Sequence, residues 1–160
     1  MRTLLIIAII AGFIFAIYYA TMLAVARVSF QLGFKGLDLS GISLDTVFTG
    51  SGTIKVQVSA KIDNRNPFNI NMSNFHVWIY YKGTMIAQTT PESNNLTKVS
   101  IPASGGIDVI HDVTVYLNSS FLQAAKDLKS GGARFDYKIS FNVFGFPYSY
   151  SDYFNYSIGG

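Results

Sequence analysis

The stretch TLLIIAIIAGFIFAIYYATMLAVA, Thr3 to Ala26, carries no charge and is bracketed by Arg2 and Arg27. As a helix rising about 1.5 Å per residue it would reach roughly 36 Å, enough to cross the roughly 30 Å hydrocarbon layer of a bilayer. Tyr18 and Tyr19 suit an interfacial aromatic belt. A cleaved signal peptide is the alternative, because Ala24-Val25-Ala26 has the A-x-A form of a cleavage site. The apolar run exceeds the roughly 7–15 residues of a signal core. Residues 1–27 are therefore expected to form an uncleaved anchor, seated in the bilayer through residues 3–26. The remainder is long enough for one domain with its own core.

Charge excludes one class of partner. The net charge is +3, from 12 basic and 9 acidic residues. Arg2 and Arg27 flank the apolar run, which leaves ten basic against nine acidic residues over 28–160. That balance is not the basic footprint of a nucleic-acid binder. Cysteine is absent, so disulfides and thiolate chemistry are excluded as well.

The flanking cations are too evenly divided to orient the anchor. Acceptor patterns for N-glycosylation say more: N-x-[ST] occurs at Asn71, Asn95, Asn118 and Asn155. Four in one small domain, with few charges and many Ser, Asn and Tyr, favour a cytoplasmic N-terminus and an extracellular domain at the cell membrane. A cytoplasmic domain is the alternative.

After Arg27, glycines at 33 and 36 suggest that residues 28–36 are a short juxtamembrane connector, with the folded domain over 37–160. Residues 37–48 alternate, with a change of parity at Gly41 that suggests a bulge. Ile54, Val56, Val58, Ala60 and Ile62 alternate with polar residues, as a half-buried strand does. Phe75, Val77, Ile79 and Tyr81 face one way and His76, Trp78 and Tyr80 the other. Lys82-Gly83-Thr84 is a hairpin turn, and further strand patterns follow at KVSIP and IDVIHDVTVYL. Between them TTPESNNLT is loop.

One helix is expected over 119–132. Ser120 lies three residues before Gln123 in a capping-box pattern, and Phe121, Ala125 and Leu128 share a face. The expected fold is mainly β: a sandwich of about seven strands with one short helix, behind a single N-terminal transmembrane helix.

A strand ending in KIDNRNPFN needs a physical account, because proline cannot donate to a sheet ladder. Pro67 must sit at a strand end, and it pushes Asn66 toward an extended conformation. Asn64 and Asn66 can satisfy the amides that the broken ladder leaves free, and Phe68 and Ile70 can return to the core. Asn64, Asn66, Pro67 and Phe68 are therefore read as a structural corner.

This corner, the hairpin FHVWIYYKGTMIA, a short helix and a closing aromatic strand together resemble the water-stress and hypersensitive-response (WHy) domain. That domain is the module of the group 2 late embryogenesis abundant proteins. Asn66-Pro67 matches the pair that follows the family's second strand. Tyr80, Gly83, Ile86 and Ala87 match its Y-x-x-G-x-x-(I/L)-A hairpin. The resemblance covers roughly residues 37–158. It implies a seven-stranded sandwich resembling fibronectin type III with one helix, often behind a single N-terminal span. It also implies roles in stress tolerance or surface interaction, and no enzymatic activity. The four sequons and the unusually aromatic C-terminal strand depart from the family pattern.

The inventory for catalysis is thin. His76, His111 and Glu92 are the only residues of their types. His111 and Asp112 are strand neighbours and so point to opposite faces. A weak metal site would need both histidines in one pocket with Asp108 or Asp112. No nucleophile elbow, dinucleotide fingerprint or P-loop is present. No enzyme, cofactor or metal is expected.

At the C-terminus, Tyr137, Ile139, Phe141 and Val143 fit a core face. Phe144, Phe146, Tyr148 and Tyr150 form a second alternating row, either an exposed interaction surface or packing beneath the helix and loops. The expected function is an anchored, non-enzymatic interaction or accessory subunit at the cell surface, with a protein partner or larger membrane complex. A stress-protective protein and a subunit of an extracellular filament are the alternatives.

Overall fold

Period-2 patterning dominates the chain after the first helix, and the computed structural model answers it with an antiparallel β-structure. It describes residues 1–35, 52–89 and 98–157. Helix α1 (Arg2–Val25) runs into β1 (Val28–Lys35), followed by β2 (Thr53–Asn64), β3 (Ile70–Tyr81), β4 (Thr84–Thr89) and β5 (Lys98–Ile101). Next come β6 (Gly105–Tyr116), helix α2 (Ser119–Lys129), β7 (Ala133–Val143) and β8 (Phe146–Tyr156). The path β1-β2-β6-β4-β3-β7-β8 is antiparallel throughout, with β5 paired to the start of β3. The expected strand at 37–48, the turn at 50–51, Glu92 and the loop over 90–97 lie outside the described residues.

This sheet curls until its two end strands meet through side chains. Phe30 of β1 lies 5.1 Å from Tyr150 of β8, and Phe34 lies 5.4 Å from Phe154. A sheet with one apolar face must cover it, and twisted strands do so by folding the sheet over itself. The enclosed core takes Val58 and Ile62 from β2, Val77 and Ile79 from β3, Val113 and Val115 from β6, and Phe135, Ile139 and Phe141 from β7. The architecture is a mainly β, barrel-like sandwich behind an N-terminal apolar helix.

Several expectations change. Residues 28–35 are not a connector: they are β1, hydrogen-bonded along β2 from Val28↔Asn64 to Lys35↔Gln57. Val28, Phe30, Leu32 and Phe34 point inward, an alternation that outweighs one glycine. The described strands number eight, in keeping with the expected mainly β sandwich.

Helix α2 is capped two positions earlier than Ser120. Asn118 is the N-cap and its Oδ1 accepts from the Phe121 amide at 2.9 Å. Gln123 instead donates to Asp127 at 3.2 Å. The buried face is Phe121, Ala124 and Leu128, with Ala125 rotated partly outward, and the helix stops at Lys129 rather than running to 132.

Because the strands are antiparallel, the sandwich has two distinct ends. The end next to α1 gathers Asn64, Ile70, Ile101, Gly105, Val143 and Phe146. At the far end lie α2 and the β3–β4 turn, joined where Tyr81 donates to Asp127 and Lys82 lies 3.9 Å from the same carboxylate.

Candidate functional site

Built from its residues upward, the corner expected at Asn64–Phe68 is a hydrogen-bonded joint. Asn64 and Asn66 are both 2% exposed, so their amides must find partners inside the protein. Asn64 Nδ2 donates to the carbonyls of Phe68 at 2.9 Å and of Ile101 and Pro102 at 3.2 Å. Its Oδ1 accepts from the Asn66 backbone amide and from Asn66 Nδ2, both at 2.9 Å. One side chain thereby ties the end of β2 to the start of β3 and the end of β5.

The second asparagine reaches farther. Asn66 Nδ2 donates to the Ala24 carbonyl at 2.8 Å, and the Arg65 amide donates to the Arg27 carbonyl at 3.0 Å. The last turn of a helix leaves carbonyls without helical partners, and here Asn66 takes one of them for α1. The Asn66 carbonyl in turn accepts from Ser104 at 2.9 Å. Sequence spacing showed that Asn66 would satisfy polar groups, but not that one belonged to residue 24.

Side-chain packing extends this joint along α1. Thr21 and Ala24 are buried against the sandwich, whereas Leu4 through Ile17 project exposed apolar side chains. Tyr18 meets Phe146 edge-on at 5.3 Å and stacks over Tyr148 at 6.5 Å. The row 144–150 is therefore not one exposed surface. By register, Phe146, Tyr148 and Tyr150 share the inner face with their partners Val143, Phe141 and Ile139. They are half-buried against α1 and β1, the strand read from sequence as a connector.

Phe144 alone of that row stays out, at 63% exposure. It occupies a two-residue turn between Val143 and Phe146, with Phe144 at φ 52° and Gly145 at φ 79°. Such turns strongly favour Asn-Gly or Asp-Gly, and holding a bulky side chain at positive φ costs about 1 kcal/mol or more. Phe68, expected to re-enter the core, is 48% exposed at the same end, because Pro67 and Phe68 bulge around the Asn64 side chain and Ile70 is the residue that returns.

Other candidate residues scatter. His76 stacks on Trp78 at 3.9 Å on the outer face, with Nε2 3.3 Å from Gln88 Oε1. His111 points inward beside Phe75 at 5.9 Å, and burial lowers its pKa while Asp112 raises it. The two rings do not share a pocket. Among the described residues no group of three or more His, Cys, Asp or Glu is placed to hold a metal. Tyr137 donates to the Phe30 carbonyl at 3.3 Å. Burial, with Tyr150 and Asp152 nearby, pushes its hydroxyl upward, so it serves as a neutral donor.

The sequons differ in their surroundings. Asn155 is exposed on β8 at the far end, and Asn71 is exposed at the α1 end. Asn118 is half-buried and engaged as the α2 cap, with Nδ2 3.5 Å from the Met85 carbonyl. Asn95 lies outside the described residues.

No family model matches this chain, and no curated protein matches it. Several solved structures are similar at low identity. A protein from Archaeoglobus fulgidus is 13% identical, with 81% of this chain and 97% of that one covered and a TM-score of 0.39. A protein from Arabidopsis thaliana known from a solution structure is 15% identical over 81% and 80%, at 0.38. The GAE domain of GGA2p from Saccharomyces cerevisiae is 11% identical over 80% and 86%, also at 0.38. Likenesses of this size carry no argument about function.

Proposed function

We propose that this chain is a single-pass, membrane-anchored sandwich that acts without catalysis as an interaction or accessory structural subunit at the cell surface. Its N-terminus lies in the cytoplasm. The observation that carries this reading is the joint between α1 and the sandwich. Cleavage after Ala26 would remove the carbonyl that Asn66 binds and uncover the rings beneath Tyr18. A helix whose end is part of the domain's buried hydrogen-bond network behaves as an anchor rather than a detachable leader.

The resemblance to the WHy domain supports the same reading, since anchored members of that family carry one N-terminal span. A protein partner is supported by the outer face of β3, β6 and β7. There Trp78, with Lys138 Nζ 5.5 Å over its ring, stands with His76, Tyr80 and Tyr116 at intermediate exposure. Amphipathic rings of this kind are enriched at interfaces.

Extraction of native membranes in mild detergent, followed by sizing and intact mass spectrometry, tests the proposal. The expected result is the full-length chain, with residues 1–27 in place, in a stoichiometric assembly larger than itself. A chain that elutes alone overturns the subunit reading, and one that begins near Arg27 overturns the anchor.

A further inference from the structure

The turn between β7 and β8 lies beside α1, not beyond its end. Along β8, Tyr150 rests on Phe30 inside the sandwich, Tyr148 reaches Tyr18, and Phe146 contacts Tyr18 edge-on. The strand thus leads from the core onto the helix, and Phe144-Gly145 is the next step outward. Tyr18 itself precedes Ala24, where the joint is made, by six residues, about 9 Å along the helix. The turn is therefore level with the last two turns of α1 or with residues before them.

Membrane thickness then decides what surrounds it. Thr3–Ile17, the apolar part of α1 before the docked residues, rises only about 22 Å against a hydrocarbon layer of roughly 30 Å. About 20 residues are needed to span it, which carries the span into the very turns that pack on Phe146 and Tyr148. Whatever lies beside those turns shares their medium.

We infer that the β7–β8 turn is a second membrane contact, with Phe144 inserted into the bilayer boundary next to α1. This rests on the anchor reading above. Two independent features fit it. A bulky aromatic occupies a positive-φ position that normally takes Asn, Asp or Gly, and outliers of that kind point to function. Another exposed aromatic at this end, Phe68, sits in the corner bonded to the end of α1 with the exposed Arg27 and Arg65 beside it. Aromatic rings and snorkelling cations are what an interfacial lipid layer accommodates. The turn and the helix together give the domain two attachments, which fixes its tilt over the membrane.

The test exploits the absence of native cysteine. Single variants Ile10→Cys, Phe144→Cys and Lys82→Cys of the full chain are spin-labelled, reconstituted in phosphatidylcholine–phosphatidylglycerol vesicles, and probed with oxygen and with a water-soluble nickel chelate. The expected result is a label at 10 reached by oxygen and shielded from nickel, and a label at 82 reached by nickel. A label at 144 should favour oxygen over nickel by at least about tenfold relative to that at 82. A label at 144 as open to nickel as that at 82, with 10 still shielded, overturns the inference while leaving the anchor intact. Nickel access at 10 overturns the anchor itself. A label at 144 shielded from both probes places it against a second copy of the chain and overturns the bilayer contact.

Discussion

Two turns of the sandwich share one backbone and differ in one side chain. Lys82-Gly83, at the far end, has φ values of 47° and 84°; Phe144-Gly145, beside α1, has 52° and 79°. Both close two-residue hairpins, with Gly supplying the second positive φ at no steric cost. Hairpin geometry favours Asn, Asp or Gly before that glycine, and neither turn carries one. At the far end a lysine reaches into water and toward Asp127; beside the helix a phenylalanine stands exposed. The difference teaches that one backbone carries either a charged or an aromatic residue, and it separates an end where that residue meets Asp127 from an end turned toward α1.

The ends also differ in what holds them. Apolar packing under α2 secures the far end, through Phe121, Ala124 and Leu128, whereas the buried amides of Asn64 and Asn66 secure the end next to α1. Leu128→Ala should cost about 3 kcal/mol, the usual toll of a buried leucine truncation. Asn64→Ala should cost about 2 kcal/mol, because it leaves a buried amide and several carbonyls unpaired. Denaturant unfolding in detergent measures both. Hydrogen exchange then sharpens the contrast: the Arg65, Asn66 and Ser104 amides should open in Asn64→Ala and stay protected in Leu128→Ala. Equal opening in both variants would dissolve the distinction between the ends.

Midway between the ends, His111 reports on the core itself. Burial holds its folded pKa below the ordinary 6.5, against the opposing pull of Asp112. The unfolded chain therefore takes up the proton first. This contribution is absent above about pH 6.5 and destabilises progressively as pH falls toward the folded value, after which it levels off. His111→Leu should flatten that slope in denaturation curves collected on either side of pH 6.5. A slope unchanged by the substitution would assign the acid sensitivity to other groups.

The smallest effect is expected at Tyr148. Its hydroxyl is buried near Tyr18 with no hydrogen-bond partner among the described residues. Tyr148→Phe should leave stability within about 0.5 kcal/mol or raise it slightly, since no bond is lost and a desolvated group is removed. A loss above about 1 kcal/mol would show that the hydroxyl finds a hydrogen-bond partner in the folded protein.

How legible all this was varied with the range of the forces involved. The alternation of Ile54–Ile62 and Tyr137–Val143 identified inward faces directly, because a strand's period is local. Residues 28–35 alternate just as cleanly, yet Gly33 and Gly36 drew them toward a connector; only pairing with β2 settles their state. Around α2 the sequence placed the helix but missed its cap, since Asn118 and Ser120 are both good cap residues and the backbone decides between them. The aromatic row at 144–150 was visible as a row, but its division into one exposed ring and three half-buried ones depends on β1 and α1 arriving over β8.

By itself, then, the chain determined an apolar helix, a run of antiparallel strands and a proline corner, all consequences of short-range periodicity and backbone chemistry. Tertiary structure alone decided that the corner's second asparagine grips Ala24, 42 residues earlier in the chain, and that Tyr18 lies on Phe146. Contacts between distant segments depend on how the whole sheet curls to cover its apolar face, and no local pattern encodes that closure.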